Sequence, residues 1–261
     1  MKIKGLDVSV SGNEKNDAMI FVHGFIFDKS MWEKQIEHFS ENYYCISYDI
    51  RGLGKSETGS GQYTMEGFVD DFFEVVKELK IKKAIAVGLS MGGYILFRAY
   101  ERQPALFRTL ILCDTRPSAD SNEAKLKRAA GISLIDAGKL DDYVSVLMNS
   151  VFGEKYKEKN KKGFEDIVAL AKSFSPEGIK GSLLAMMGRT SSVENLDKIE
   201  VPVLLVVGEN DTVTPVSEIE AFAEKIKRKT VSVIPAAGHL SPLEEPVIVN
   251  RVISNFIHNN L

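Results

Sequence analysis

Short apolar runs alternate with helix-period segments over much of this 261-residue chain, and that alternation restricts the fold more than any other feature. The runs are Met19–Val22 (M-I-F-V), Tyr43–Tyr48 (Y-Y-C-I-S-Y), Ala84–Val87 (A-I-A-V) and Thr109–Cys113 (T-L-I-L-C), followed later by Val203–Val207 and Val231–Ile234. A strand with no polar face must be covered on both sides, and parallel strands need crossover helices that supply the cover. Helical periodicity lies between the runs. Phe68, Val69, Phe72, Phe73, Val76 and Leu79 mark one amphipathic helix. Trp32, Ile36 and Phe39 mark another, which Ser30 and Glu33 would open as a capping box. A further helix falls near Ser217–Lys227, and a C-terminal helix carries Val249, Val252, Ile253, Phe256 and Ile257 on one face. The first ten residues alternate polar and apolar like a strand. The expectation is an α/β fold with a mostly parallel central sheet flanked by helices.

Residues 116–196 interrupt the alternation. They hold no convincing strand, are rich in Lys, Glu, Ala and Leu, and are punctuated at Gly131, Gly138, Gly153, Gly163 and Pro176–Gly178. So long a stretch exceeds one βαβ crossover several-fold and reads as an inserted helical cap over the carboxyl edge of the sheet. The domains expected are a core of residues 1–115 and 197–261, with the cap between them.

A formal net charge of −3 leaves no basic footprint for nucleic acid. No run approaches the ~18 apolar residues that would span a bilayer, and the first residues lack a signal-peptide apolar core. These features point to a cytoplasmic protein with no membrane partner. Cys45 and Cys113 both lie in apolar runs and read as small buried hydrophobes. No metal-ligand spacing occurs, so neither metal nor cofactor is expected.

The chemistry centres on A-I-A-V-G-L-S-M-G-G (Ala84–Gly93). An apolar strand runs into Ser90, and a helical segment starts at Met91. Gly88 and Gly92 lack the Cβ atoms that would clash where strand and helix approach, so Ser90 can project its hydroxyl from a strained turn, the logic of a nucleophile elbow. A serine hydroxyl needs a general base, usually a histidine oriented by a carboxylate. Of the four histidines, His38 and His258 read as surface residues, and His23 as a brace at the end of a strand. His239, in a small-residue loop after the last strand, is the candidate base. Asp211, in V-G-E-N-D-T-V-T-P, is the candidate acid. Glu209 is nearer the strand and more apt to face solvent, and Asp114 competes from the end of Thr109–Cys113. The oxyanion donors expected are the amides of Met91, at the helix start, and Phe25, after Gly24. Phe25, Met148, Phe152 and Met187, with Met186 nearby, are candidate substrate-binding residues, although Met and Phe at helical spacing more often form helix core.

Together these segments resemble the α/β-hydrolase superfamily. The resemblance rests on H-G-F (His23–Phe25), Y-D-I-R-G-L-G-K-S (Tyr48–Ser56), G-L-S-M-G-G (Gly88–Gly93), G-E-N-D (Gly208–Asp211) and G-H (Gly238–His239), in family order along essentially the whole chain. It implies the α/β-hydrolase fold with an inserted helical cap, and makes Asp49 and Arg51 scaffold of a turn beside the site. Serine at the elbow departs from the dehalogenase and epoxide-hydrolase branches, which use aspartate. A single H-G departs from the H-G-G-G loop of many lipases. Within the superfamily the chain is similar to small bacterial carboxylesterases and 3-oxoadipate enol-lactonases. The implied activity is hydrolysis of a small-molecule carboxylic ester with a small or medium acyl group, by a monomer or homodimer. Lactone hydrolysis, C–C hydrolysis, cofactor-free perhydrolysis, a slow-turnover ligand sensor and a binding module with an inactive triad are the alternatives.

Overall fold

The computed structural model describes residues 1–59 and 62–261. Strands β1 (Lys2–Ile3) and β2 (Leu6–Ser11) form a hairpin, and β3 (Ala18–Val22) follows. The single N-terminal strand expected from alternation is thus broken in two. The break is at Lys4 and Gly5, whose φ angles of +50° and +85° turn the chain back on itself. Next come α1 (Glu33–Phe39), β4 (Tyr44–Tyr48), α2 (Met65–Glu78), β5 (Ala84–Leu89), α3 (Met91–Arg102) and β6 (Phe107–Cys113). Helices α4 (Asn122–Asp136), α5 (Leu140–Val151), α6 (Glu154–Lys159), α7 (Lys161–Lys172) and α8 (Pro176–Met187) precede β7 (Val203–Gly208). The chain closes with α9 (Val216–Ala223), β8 (Lys229–Ile234), α10 (Ser241–Glu244) and α11 (Pro246–Asn260).

The capping box expected at Ser30 is not what starts the first helix. Residues Lys29–Trp32 form a 3₁₀ turn capped by Asp28, whose carboxylate accepts from the Ser30 amide at 2.9 Å; α1 continues from it. Asp28 takes the Ser30 amide itself, and the Ser30 hydroxyl donates to the same carboxylate instead of capping the amides that follow. Gly131 and Gly163 lie inside α4 and α7 rather than at breaks. A Cβ on Gly131 would stand 2.6 Å from the Tyr143 ring, so that glycine serves close helix packing. Gly138, at φ +74°, and Pro176, in the first turn of α8, do mark helix boundaries.

The strands form one eight-stranded sheet in the order β1-β2-β4-β3-β5-β6-β7-β8. Strands β1, β2 and β4 pair antiparallel, and every other pair is parallel. Strands β3, β4, β5 and β7 are buried along their whole length and β6 everywhere but Arg108, as their largely apolar character requires. Helix α2 buries Phe68, Val69, Phe72 and Val76 against the sheet side, each side chain of that size contributing about 1.5–3 kcal/mol. The register lines up the carboxyl ends: Val22 with Gly88, Leu89 with Cys113, Cys113 with Val206, and Gly208 with Ile234. Strand order reverses between β3 and β5, so the loops leaving them diverge and open a crevice at that edge, the usual binding place of an open parallel sheet.

Cys45 and Cys113 are buried and unpaired. Burial pushes the Cys45 thiol up to about 12, and burial together with the Asp114 charge pushes Cys113 well above its ordinary value. Because the thiolate is the reacting species, native protein at pH 8 is expected to resist iodoacetamide at both positions, while denatured protein takes up two equivalents by mass spectrometry. Modification of the native fold would contradict this packing. Among the described residues, no helix is long and apolar enough to cross a membrane.

Candidate active site

At the end of β5 the backbone turns sharply. Ser90 sits at φ +50° and ψ −111°, a conformation that costs a non-glycine residue on the order of 1–3 kcal/mol. Surrounding bonds hold it there. The Ser90 amide donates to the Cys113 carbonyl at 3.0 Å, and its carbonyl accepts from the Thr115 hydroxyl at 2.7 Å. The two flanking glycines have steric causes. A Cβ on Gly88 would lie 2.8 Å from the Gly92 carbonyl, and one on Gly92 only 2.2 Å from the Val22 carbonyl oxygen.

His239 comes to this serine from 149 residues further along the chain, with Nε2 2.9 Å from Ser90 Oγ. Its Nδ1 lies 2.8 Å from Asp211 Oδ2. Asp211 heads a tight turn in which Oδ1 accepts from the amides of Val213 (2.7 Å) and Thr214 (2.9 Å), while Oδ2 accepts from the Thr214 hydroxyl (2.5 Å). Burial alone would raise this carboxyl. The His239 charge and hydrogen bond, with the Thr214 donors, outweigh burial and hold it at about 2. An ionised Asp211 can only accept, so Nδ1 carries the imidazole proton and Nε2 presents a lone pair to the serine hydroxyl.

The rival acids do other things. Glu209 is exposed and accepts from the Ala236 amide at 2.8 Å. Asp114 is buried at φ +46° and accepts from the Gly208 amide (2.8 Å) and from the amide and hydroxyl of Ser241 (3.1 and 2.6 Å). Burial, reinforced by the Asp211 charge, pushes the Asp114 carboxyl well above the carboxylate range. It braces the segment after His239 and makes no hydrogen bond to the imidazole.

His23 is buried, and burial holds its imidazole below its ordinary value. Its Nδ1 donates to the Gly24 carbonyl at 2.8 Å, and its Nε2 accepts from the Ile50 amide at 2.8 Å, which assigns the neutral Nδ1–H tautomer. The ring thereby pins Gly24–Phe25 to the turn containing Asp49 and Arg51. That turn is itself held by Asp49, which accepts from the amides of Lys29 and Lys55 at 2.8 Å each, and by the Arg51–Asp71 ion pair. Gly24 runs so close to the elbow that a Cβ there would lie 3.6 Å from Ser90 Cβ. Among the described residues, the amides of Phe25 and Met91 have no protein acceptor. His38 and His258 are exposed.

Of the residues expected to meet substrate, Phe25 and Met187 are half-buried, whereas Met148, Phe152 and Met186 are buried. Phe152 stacks on Tyr156 at 5.0 Å between centroids and meets Phe164 and Phe27 edge-on, so much of its surface serves the helical segment. Sequence reasoning missed Thr115, Thr214, Ser241 and Glu244. Thr214 alone had a local signal, since a hydroxyl three residues after an aspartate can close a turn. Among the described residues, no three His, Cys, Asp or Glu side chains converge as a metal would need.

Residues 19–252 match the alpha/beta hydrolase family. The chain is 26% identical to 3-oxoadipate enol-lactonase 1 of Acinetobacter baylyi over 97% of its own length and 93% of that protein. A malate-bound structure of a thermophilic esterase from Thermogutta terrifontis is 32% identical, with a TM-score of 0.93 over 97% of this chain and 93% of that one. The enol-lactonase from Burkholderia xenovorans LB400, at 22% identity and a TM-score of 0.90 over 97% and 96% of the two chains, shows the shared fold. This protein belongs to the alpha/beta hydrolase family.

Proposed function

We propose that the protein is a serine hydrolase that cleaves carboxylic esters of small or medium acyl groups through an acyl-enzyme. The observation that carries the proposal is the His239 imidazole, 2.9 Å from Ser90 Oγ on one side and 2.8 Å from Asp211 on the other. Ser90 Oγ attacks the ester carbonyl as His239 Nε2 takes its proton, and the imidazolium then protonates the departing alkoxide. Water, deprotonated by the same nitrogen, attacks the acyl-enzyme and releases the acid and the free serine. Asp211 holds the tautomer and offsets the transient positive charge. The amides of Phe25 and Met91 receive the oxyanion in both tetrahedral steps, in a crevice where fixed dipoles count for more than in water. Helices α4–α8, with their flanks in residues 116–196, serve as a cap over the core of residues 1–115 and 197–261. Phe25 and Met187, half-buried, offer the acyl group accessible surface, and the buried Met148 and Phe152 complete the set of substrate-binding residues.

A 3-oxoadipate enol-lactonase-like reading uses the same steps and is favoured by the enol-lactonase likeness over 97% of the chain. An ester-chain-length panel of chromogenic substrates, run beside an enol-lactone, tests both. Repeated turnover of short esters with falling kcat/KM at long chains is expected. A single stoichiometric acylation instead would mark a ligand sensor, and complete inertness towards both substrate types would sink the hydrolase reading.

A further inference from the structure

Taking Ser90, His239 and Asp211 in the roles given above, we propose that Glu244 is a positioning residue that fastens the base-bearing loop to the α5–α6 junction, so that helical segment and imidazole move as one unit. Three consecutive amides around the base are each engaged. Gly238 donates to Glu244 Oε2 at 3.0 Å, His239 to the Val151 carbonyl at 2.9 Å, and Leu240 to Glu244 Oε1 at 3.1 Å. One of these links joins distant parts of the chain, because Val151 ends α5, and a fourth bond does the same: Glu244 Oε2 also accepts at 3.0 Å from the Gly153 amide, 91 residues away. One carboxylate, 8% exposed, therefore receives two donors from the base loop and one from the helical segment.

A local brace would need only the Leu240 and Gly238 amides, which lie in its own turn. The Gly153 bond serves no such turn, and the space around it is built for it. A Cβ on Gly153 would stand 2.8 Å from Glu244 Oε2 and 3.1 Å from the Gly238 nitrogen. A Cβ on Gly238 would stand 2.5 Å from the Gly153 nitrogen. Immediately before Gly153, Phe152 is locked among Phe27, Tyr156 and Phe164. A substrate that settles these rings would thereby settle the imidazole too. Glu244 makes no hydrogen bond to Ser90, Asp211 or the His239 ring; its bonds go to peptide amides, and Gly153→Ala, which leaves its charge in place, separates that backbone link from the direct attraction between the carboxylate and the imidazole.

The test perturbs the link from both ends. Glu244→Gln keeps the shape but turns one acceptor oxygen into a donor, leaving at least one of the three amides unpaired. Gly153→Ala leaves Glu244 in place and pushes from the other side. Each is expected to lower kcat per titrated active site by on the order of 10- to 100-fold, the effect of a small misplacement of the base, with KM changed less than about threefold. The double variant is expected to lose no more than the worse single one, since both break one link. Melting temperature is read in parallel, because a purely structural role would shift it while leaving kcat per active site intact. Wild-type kcat in both variants, or losses that multiply in the double, would overturn the proposal. Should Glu244→Gln fail to fold, Gly153→Ala and Glu244→Asp, too short to span both elements, decide it on the same readout. Turnover retained by Ser90→Ala would instead overturn the serine-hydrolase reading on which this rests. An inactive Ser90→Ala beside unaffected Glu244→Gln and Gly153→Ala would overturn the positioning role alone.

Discussion

Ser90→Ala is expected to fold normally and to lose ester hydrolysis by on the order of 10⁴- to 10⁶-fold, the range expected when the nucleophile of such a unit is removed. Alanine keeps the Cβ, so the backbone at φ +50° is no more strained than before, and the amide and carbonyl bonds to Cys113 and Thr115 persist. What disappears is a half-buried hydroxyl whose single side-chain partner is His239. Removing one such hydrogen bond costs about 1 kcal/mol at most, so the melting temperature should move by a few degrees or less. A fluorophosphonate probe should label the parent protein at Ser90 and leave the variant unlabelled. Undiminished labelling in the variant would place the nucleophile elsewhere.

Asp211→Asn is expected to lower kcat by on the order of 10³- to 10⁴-fold while retaining the fold, because the imidazole then adopts the wrong tautomer. The asparagine oxygen can still accept from the Val213 and Thr214 amides and keep the turn. Its amide group then faces His239 Nδ1 as a donor, which drives the ring proton to Nε2 and leaves no lone pair for Ser90. The same carboxylate predicts a pH dependence of stability. Its folded value of about 2 lies below the ordinary 3.8, so the unfolded chain binds the proton more readily. The stabilisation is complete above about pH 4 and is lost as pH falls through 2, on the order of 2 kcal/mol in all. Denaturant melts of the parent and Asp211→Asn at pH 6 and pH 2.5 check this. The stability gap between them should narrow at the lower pH, and a gap that widens would contradict the sign. It follows that Asp211 stays ionised at any pH well above 2.

The paired alternatives show where sequence reading stops. The strands were legible because a strand buried on both faces must be apolar throughout, and β3, β5, β6 and β7 lie where the runs predict. Ser90 was legible because a serine between glycines marks the tight turn; Gly88 has a local cause, a Cβ meeting the Gly92 carbonyl at 2.8 Å, whereas Gly92 is excluded from a side chain by distant β3, where a Cβ would meet the Val22 carbonyl oxygen at 2.2 Å. Residues 116–196 read as helical without strands, yet the breaks expected at Gly131 and Gly163 fall inside α4 and α7. A glycine needed for close packing is written the same way as one that ends a helix. The N-terminal strand was read as one piece for a similar reason, since alternation continues across the Lys4–Gly5 turn and only the backbone angles reveal it.

Strand periodicity and the glycine-flanked serine are properties of nearby residues, and the sequence determines them by itself. Which carboxylate meets the imidazole is not of that kind. Glu209, Asp211 and Asp114 all follow strands at the same sheet edge, and only packing turns Asp211 towards His239, leaves Glu209 in solvent and gives Asp114 to Ser241. The Glu244–Gly153 link likewise spans 91 residues, and its neighbour Glu245, with the same local chemistry, meets the Lys155 ammonium instead of the amides around His239. Contacts of that separation depend on how helices seat on the sheet. The tertiary structure alone decided them, because side-chain periodicity records which face is buried and carries nothing about what lies against it.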